Sequence, residues 1–157
     1  MNPINIEYLK SGVAEVQLTY KNKVKPSQMY VINSSSDIYA ICKTLFDDGI
    51  IEHREQLILI LMNKANKVLG YVLISSGGLS GTVADPCVIF QACLKANANQ
   101  FICAHNHPSG NLRPSETDIQ LTRKLRDGGK LLDIAMLDHL IITNEYFYSF
   151  ADEGLMN

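Results

Sequence analysis

His105 and His107 stand two residues apart, directly after the apolar run Phe101 to Ala104, in a segment that Pro108 and Gly110 bend sharply. In a regular strand, residues two apart point to the same face, so this pair can bring two imidazoles to one ion. A third ligand can come from Asp118, on the first turn of the helix that the loop feeds, where a short loop could fold it back toward the histidines. Two histidines and a carboxylate leave the fourth position of a tetrahedral zinc site open for water, the arrangement of a catalytic rather than a structural site. Imidazoles must be neutral to ligate, so such a site is expected to lose zinc on mild acidification. Ser115-x-x-Asp118 is equally the pattern of an N-terminal capping box, with serine at the cap and an acid three residues on. Capping accounts for the serine and the aspartate but not for the paired histidines.

The chain that must position these residues has 157 of them, about one domain's worth, enough to bury a sizeable core. Apolar residues make up 46% and charged ones 19%, an ordinary globular balance rather than a disordered or fibrous one. The formal charge of -2 lacks the basic excess of a nucleic-acid binder. Lys21, Lys23 and Lys25 read as the guarded edge of a strand, and Arg123, Lys124 and Arg126 as a solvated helix face. Direct nucleic-acid binding is therefore expected to be weak. Cys42, Cys87, Cys93 and Cys103 show neither C-x-x-C spacing nor the density of a disulfide scaffold, and read as free thiols in a reducing compartment. Met1 to Gly12 lacks a signal peptide's apolar stretch, and the longest unbroken aliphatic run, Leu57 to Met62, is too short for a bilayer. The expectation is a cytoplasmic protein with no membrane segment.

Along the chain, Val16, Leu18 and Tyr20 alternate with polar residues, the period of a half-buried strand. Ser34-Ser35-Ser36 precedes a helix over Asp37 to Phe46, with Gly49 as a stop. Glu55 to Met62 is predicted to be a central strand buried on both faces, turning at Asn63 to Asn66 and returning over Lys67 to Ser75 as a hairpin. Gly77, Gly78 and Gly81 form a flexible stretch. Asp85-Pro86 starts a second helix running to about Ala98. Phe101 to Ala104 is an interior strand, and Pro114-Ser115 opens a third helix to about Arg126, closed by Gly128-Gly129. Leu131 to Leu137 and His139 to Thr143 read as two more strands, ahead of Tyr146 to Phe150. The sum is an α/β domain: a mixed β-sheet with a central hairpin and helices packed on it.

His105-x-His107, seven intervening residues, then Ser115-x-x-Asp118, with an acidic residue well upstream, resembles the signature of the JAMM (MPN) metalloenzymes. The strings Ala104 to Gly110 and Leu137 to Ile142 are more similar to the RadC branch than to others. The similarity covers Glu55 to the C-terminus and extends more weakly through the helix at Asp37. It implies a single RadC-like domain over residues 1–157, with a motif-bearing part at 55–157, a short N-terminal extension, and no helix-hairpin-helix segment like that of longer relatives. The implied fold is three-layered and cytidine-deaminase-like. The implied site holds one Zn2+ on His105, His107 and Asp118 with a water as fourth ligand. Glu55 is then the general acid/base, and the Ser115 hydroxyl bonds the oxygen that becomes negative in the transition state. Asp138-His139 matches a family pair and is a candidate for orienting a ligand from behind. The implied activity is hydrolysis of a peptide or isopeptide-like amide, in a family labelled DNA repair. Two departures stand out: Pro86-Cys87-Val88 where relatives carry Pro-Arg-Glu, and Leu57 where an aromatic is common.

Two other readings use the same residues. One is a non-catalytic JAMM-fold scaffold acting with DNA-repair or mobile-element partners. The other is a nucleobase deaminase, suggested by His53-Arg54-Glu55 and Pro86-Cys87-Val88-Ile89-Phe90, in which Phe90 stands where that motif needs a cysteine. Cys103, two residues before His105, is either close to the ion or a packed thiol.

Overall fold

A computed structural model describes residues 18–77 and 84–156. Its architecture follows from one strand. Gln56–Met62 (β1) is apolar at every position after the first, and all of those side chains are buried, so both faces of the sheet must be covered. Val68–Ser76 (β2) returns beside it, and Gln100–Asn106 (β3), Ala135–Ile142 (β4) and Phe147–Ser149 (β5) complete five strands in the order β2-β1-β3-β4-β5. Only β3 and β4 run parallel. A parallel pair needs a crossover, and a helix supplies it here.

On one face, Ile58, Ile60 and Met62 pack with Ile102, Ala104 and Leu140 against Ile38 and Cys42 of Ser35–Leu45 (α1). On the other, Leu57, Leu59 and Leu61 join Phe101 and Cys103 against Ile89 and Cys93 of Pro86–Lys95 (α2) and Leu125 of Glu116–Leu131 (α3). The result is the expected three-layer mixed α/β arrangement, with β1 interior and β2 at the edge of the hairpin.

Several boundaries differ from the expectation. Ser34 caps α1 through a box with Asp37, but the helix stops at Leu45, and Gly49 belongs to the following turn on Asp47. The second helix ends at Lys95, three residues early. β3 continues past its apolar run to include His105 and Asn106, because β1 pairs with it through His105 and β4 through Asn106. The two strands expected over Leu131 to Thr143 are one: α3 and a turn at Asp133 (φ 54°) occupy the first residues, and β4 then runs unbroken through His139. Val16 lies outside the described residues, as do Gly78 and Gly81, while Leu18 to Tyr20 and Lys21 to Lys25 form no strand.

Gly128 and Gly129 do not close α3; they lie within it. A Cβ on Gly129 would collide with the Ile134 carbonyl oxygen, and one on Gly128 would sit 2.9 Å from the Phe90 ring. These glycines let the helix approach its neighbours, a use that overrides their stop tendency. Gly129→Ala is expected to lower stability by about 1–3 kcal/mol through overpacking, read as a fall in thermal midpoint; an unchanged midpoint would refute the tight contact.

Candidate metal centre

β3 carries His105, which is buried, and His107 follows one residue beyond the strand, where its N–H still pairs with the Ile142 carbonyl at 3.0 Å. The Nε2 atoms of the two rings converge to 3.0 Å. Asp118, at the third position of α3, brings Oδ1 to 3.3 Å from His105 Nε2 and Oδ2 to 3.7 Å from His107 Nε2. Ligands about 2.0–2.1 Å from a tetrahedral ion lie roughly 3.3 Å from one another. With one ligand atom from each residue, the three donors lie within 4.8 Å of one another, close enough to converge on one ion. Among the described residues this is the one place where three His, Cys, Asp or Glu side chains converge in this way.

The capping box and the ligand reading prove compatible. Ser115 Oγ accepts from the Asp118 N–H at 3.2 Å, and the Ser115 N–H donates to Asp118 Oδ2 at 2.7 Å. The Ser115 hydroxyl also donates to Oδ2, at 2.6 Å. The box thus holds one carboxylate oxygen and turns the other toward His105. Burial would raise the Asp118 pKa, but the two histidines beside it and the Ser115 hydroxyl together hold it well below the usual carboxylate range.

The loop after β3 fixes the orientation of His107. Gly110 adopts φ +75° and its N–H returns to the His107 carbonyl at 3.0 Å, a left-handed conformation that glycine takes without strain. The turn carries the Asn111 carbonyl to 2.6 Å from His107 Nδ1. A carbonyl only accepts, so Nδ1 bears a proton, and in the neutral ring Nε2 presents the lone pair. Burial pulls the His107 pKa down, but Asp118, the Asn111 carbonyl and the charge of Glu55 outweigh it and leave the value raised.

Glu55 reaches the site through β1. Leu57 pairs with His105, Glu55 stands two residues earlier, and its charge is among the influences on His107. Its flanks are fastened by Asn106, the residue between the two histidines. Asn106 is fully buried; its amide donates to the Ile51 and Arg54 carbonyls at 2.6 and 2.9 Å and accepts from the Gln56 N–H at 2.8 Å. The Glu55 carbonyl takes the Gly77 N–H at 2.8 Å.

A family profile described as RadC-like JAB domain matches residues 32–155, most of the chain. The chain belongs to the RadC-like JAB domain family. A UPF0758 protein of Flavobacterium johnsoniae is 43% identical over 124 residues, covering 79% of this chain and 53% of the relative. One from Porphyromonas gingivalis is 42% identical over 104 residues, 66% of this chain and 46% of its own. A third, from Chlorobium chlorochromatii, is 33% identical over 144 residues, 92% and 64% respectively. The chain spans about half the length of the curated relatives it matches.

In this RadC-like domain the Asp138-His139 pair divides its work. The two side chains point to opposite faces of β4. His139 lies behind the centre, its Nε2 2.9 Å from His105 Nδ1. Asp138 instead fastens the C-terminal segment, accepting from Ser149 Oγ at 2.6 Å and the Ala151 N–H at 2.9 Å; burial, the largest influence on it, raises its pKa. Cys103 is buried among Phe101, Leu59 and Leu125, its thiol pushed up by burial, and it is not among the converging donors. His53 and Cys87, needed for deaminase chemistry, are exposed and also stand outside that group. Asn106, Asn111 and Thr122 were not singled out by the sequence. Asn106 was hidden as the variable position of His-x-His, and the others become visible only once the loop and helix are folded onto the site.

Proposed function

We propose that this chain is a zinc-dependent hydrolase of peptide or isopeptide-like amides, with a peptide or protein as substrate. The convergence of His105 Nε2, His107 Nε2 and the Asp118 carboxylate, with Glu55 near enough for its charge to act on His107, supports this reading. A zinc ion supplies Lewis acidity and generates a nucleophile from water at neutral pH. His105, His107 and Asp118 would hold the metal. Glu55 would accept a proton from the attacking water and return it to the leaving amine. Ser115 would serve the developing oxyanion by turning its one proton from Asp118 Oδ2 toward the substrate, a contact worth roughly 3 kcal/mol when well placed. The four free cysteines suit a reducing compartment such as the cytoplasm, and no helix among the described residues is long and apolar enough to cross a membrane.

Metal analysis of protein purified at neutral pH without chelator is expected to find one zinc per chain, with His107→Ala losing it. Zinc binding requires neutral imidazoles, so occupancy should fall as pH drops through the imidazole range and recover on neutralisation. A metal-free wild type, or zinc content unchanged well below that range, would sink the proposal. Zinc retained by a chain that cleaves no amide substrate would favour a binding module over an enzyme.

A further inference from the structure

The contacts behind His105 form a circuit whose protons can be counted. Thr122 Oγ1 lies 2.7 Å from the Asp118 main-chain carbonyl, one helical turn back. A carbonyl only accepts, so this bond uses the hydroxyl's single proton. Thr122 Oγ1 is also 2.7 Å from His139 Nδ1; with its own proton committed, it must accept there, and His139 Nδ1 carries the hydrogen. His139 is fully buried and stacks on Phe150 with ring centroids 4.9 Å apart. Its two ring nitrogens meet only a hydroxyl and a second imidazole, with no carboxylate bonded to it among the described residues, so the buried ring is neutral and has one N–H. His139 Nε2 is then an acceptor, and the proton in its 2.9 Å contact with His105 belongs to His105 Nδ1. His105 Nε2 is left bare, facing the equally bare Nε2 of His107 at 3.0 Å.

We propose that Thr122 and His139 are positioning residues that lock His105 in its metal-ligating tautomer, through a relay that starts at the main-chain carbonyl of Asp118. One ligand's backbone thereby sets the proton of another. A threonine hydroxyl bonded to the carbonyl four residues back is common in helices; what distinguishes Thr122 is the second bond, which points its lone pair at a buried ring rather than at solvent. The order of protons is independent of the hydrolase reading, whereas its consequence for affinity rests on the metal reading above.

The test begins with the wild-type chain, freed of metal and labelled with 15N-histidine, at a pH above the imidazole range. The ring nitrogens of His105, His107 and His139 should all report the Nδ1–H tautomer. Thr122→Val keeps the shape but removes the hydroxyl, and should mix the tautomers of His139 and His105. It should also weaken Zn2+ affinity in chelator competition by about 10- to 100-fold and alter the visible spectrum of the Co2+ form. Thr122→Ser should restore all three. An Nε2–H tautomer at His105 or His139 in the wild type would overturn the proposal, as would wild-type tautomers and zinc affinity in Thr122→Val. If Thr122→Val fails to fold, the wild-type spectrum alone decides. Expected tautomers in a wild type that takes up no Zn2+ would support the relay's proton order and overturn the metal reading instead.

Discussion

Glu55→Gln should abolish amide hydrolysis while leaving zinc content and thermal midpoint at wild-type values. The substitution keeps the side chain's size and removes its charge and basicity. The backbone around it is fixed by bonds that do not involve its side chain: the Arg54 carbonyl and Gln56 N–H on Asn106, and the Glu55 carbonyl on the Gly77 N–H. Loss of a general acid/base costs about 100- to 10,000-fold in rate, measured on any peptide or isopeptide bond that the wild type cleaves. A second readout needs no substrate. The negative charge of Glu55 is one of the influences raising the His107 pKa in the metal-free protein, so Glu55→Gln should shift that titration downward. Full activity in the variant would remove Glu55 from the mechanism. An unmoved His107 would show that the carboxylate does not face the site.

The elements whose partners lie close in sequence were legible, and so was the grouping of His105, His107 and Asp118. Apolar residues at every position of Leu57 to Met62 demanded cover on two faces, and the helices on either side provide it. Asp85-Pro86 and the serines at 34 and 115 mark helix starts through local bonds. What the sequence hid depends on distant partners. Gly128 and Gly129 have the local character of a stop, and only the nearness of Phe90 and Ile134 explains why the helix continues through them. Thr122 is an ordinary helix residue until β4, seventeen residues on, sets His139 beside it. The capping box and the metal site competed as explanations of Asp118 because spacing cannot show that a carboxylate has two oxygens with separate uses. The structure assigns Oδ2 to the cap and Oδ1 toward His105.

Asn106→Leu is expected to be the most destabilising single change near the site and to impair catalysis without removing a ligand. Strand alternation sends His105 and His107 to the face covered by α2 and α3, and Asn106 to the α1 face, where it is fully buried. There its amide is, among the described residues, the one side chain bonded to the Ile51 carbonyl, the Arg54 carbonyl and the Gln56 N–H. Leucine has the same branching with bulkier methyl groups and satisfies none of these hydrogen-bonding partners. Arg54 is at the surface and its carbonyl can recover a water, so the Ile51 carbonyl and Gln56 N–H decide the cost, at about 1–3 kcal/mol each. At roughly 2–4 °C per kcal/mol for a domain of this size, the midpoint should fall by about 10 °C. Zinc content per folded chain should hold, since both histidines lie on the other face, while turnover falls because the segment presenting Glu55 is no longer fastened. Asn106→Asp separates clamp from packing: it keeps an acceptor for Gln56 but sets a carboxylate against two carbonyl oxygens, and should be no better than leucine. A variant that melts like the wild type and turns over normally would show that Glu55 is positioned from β1 alone.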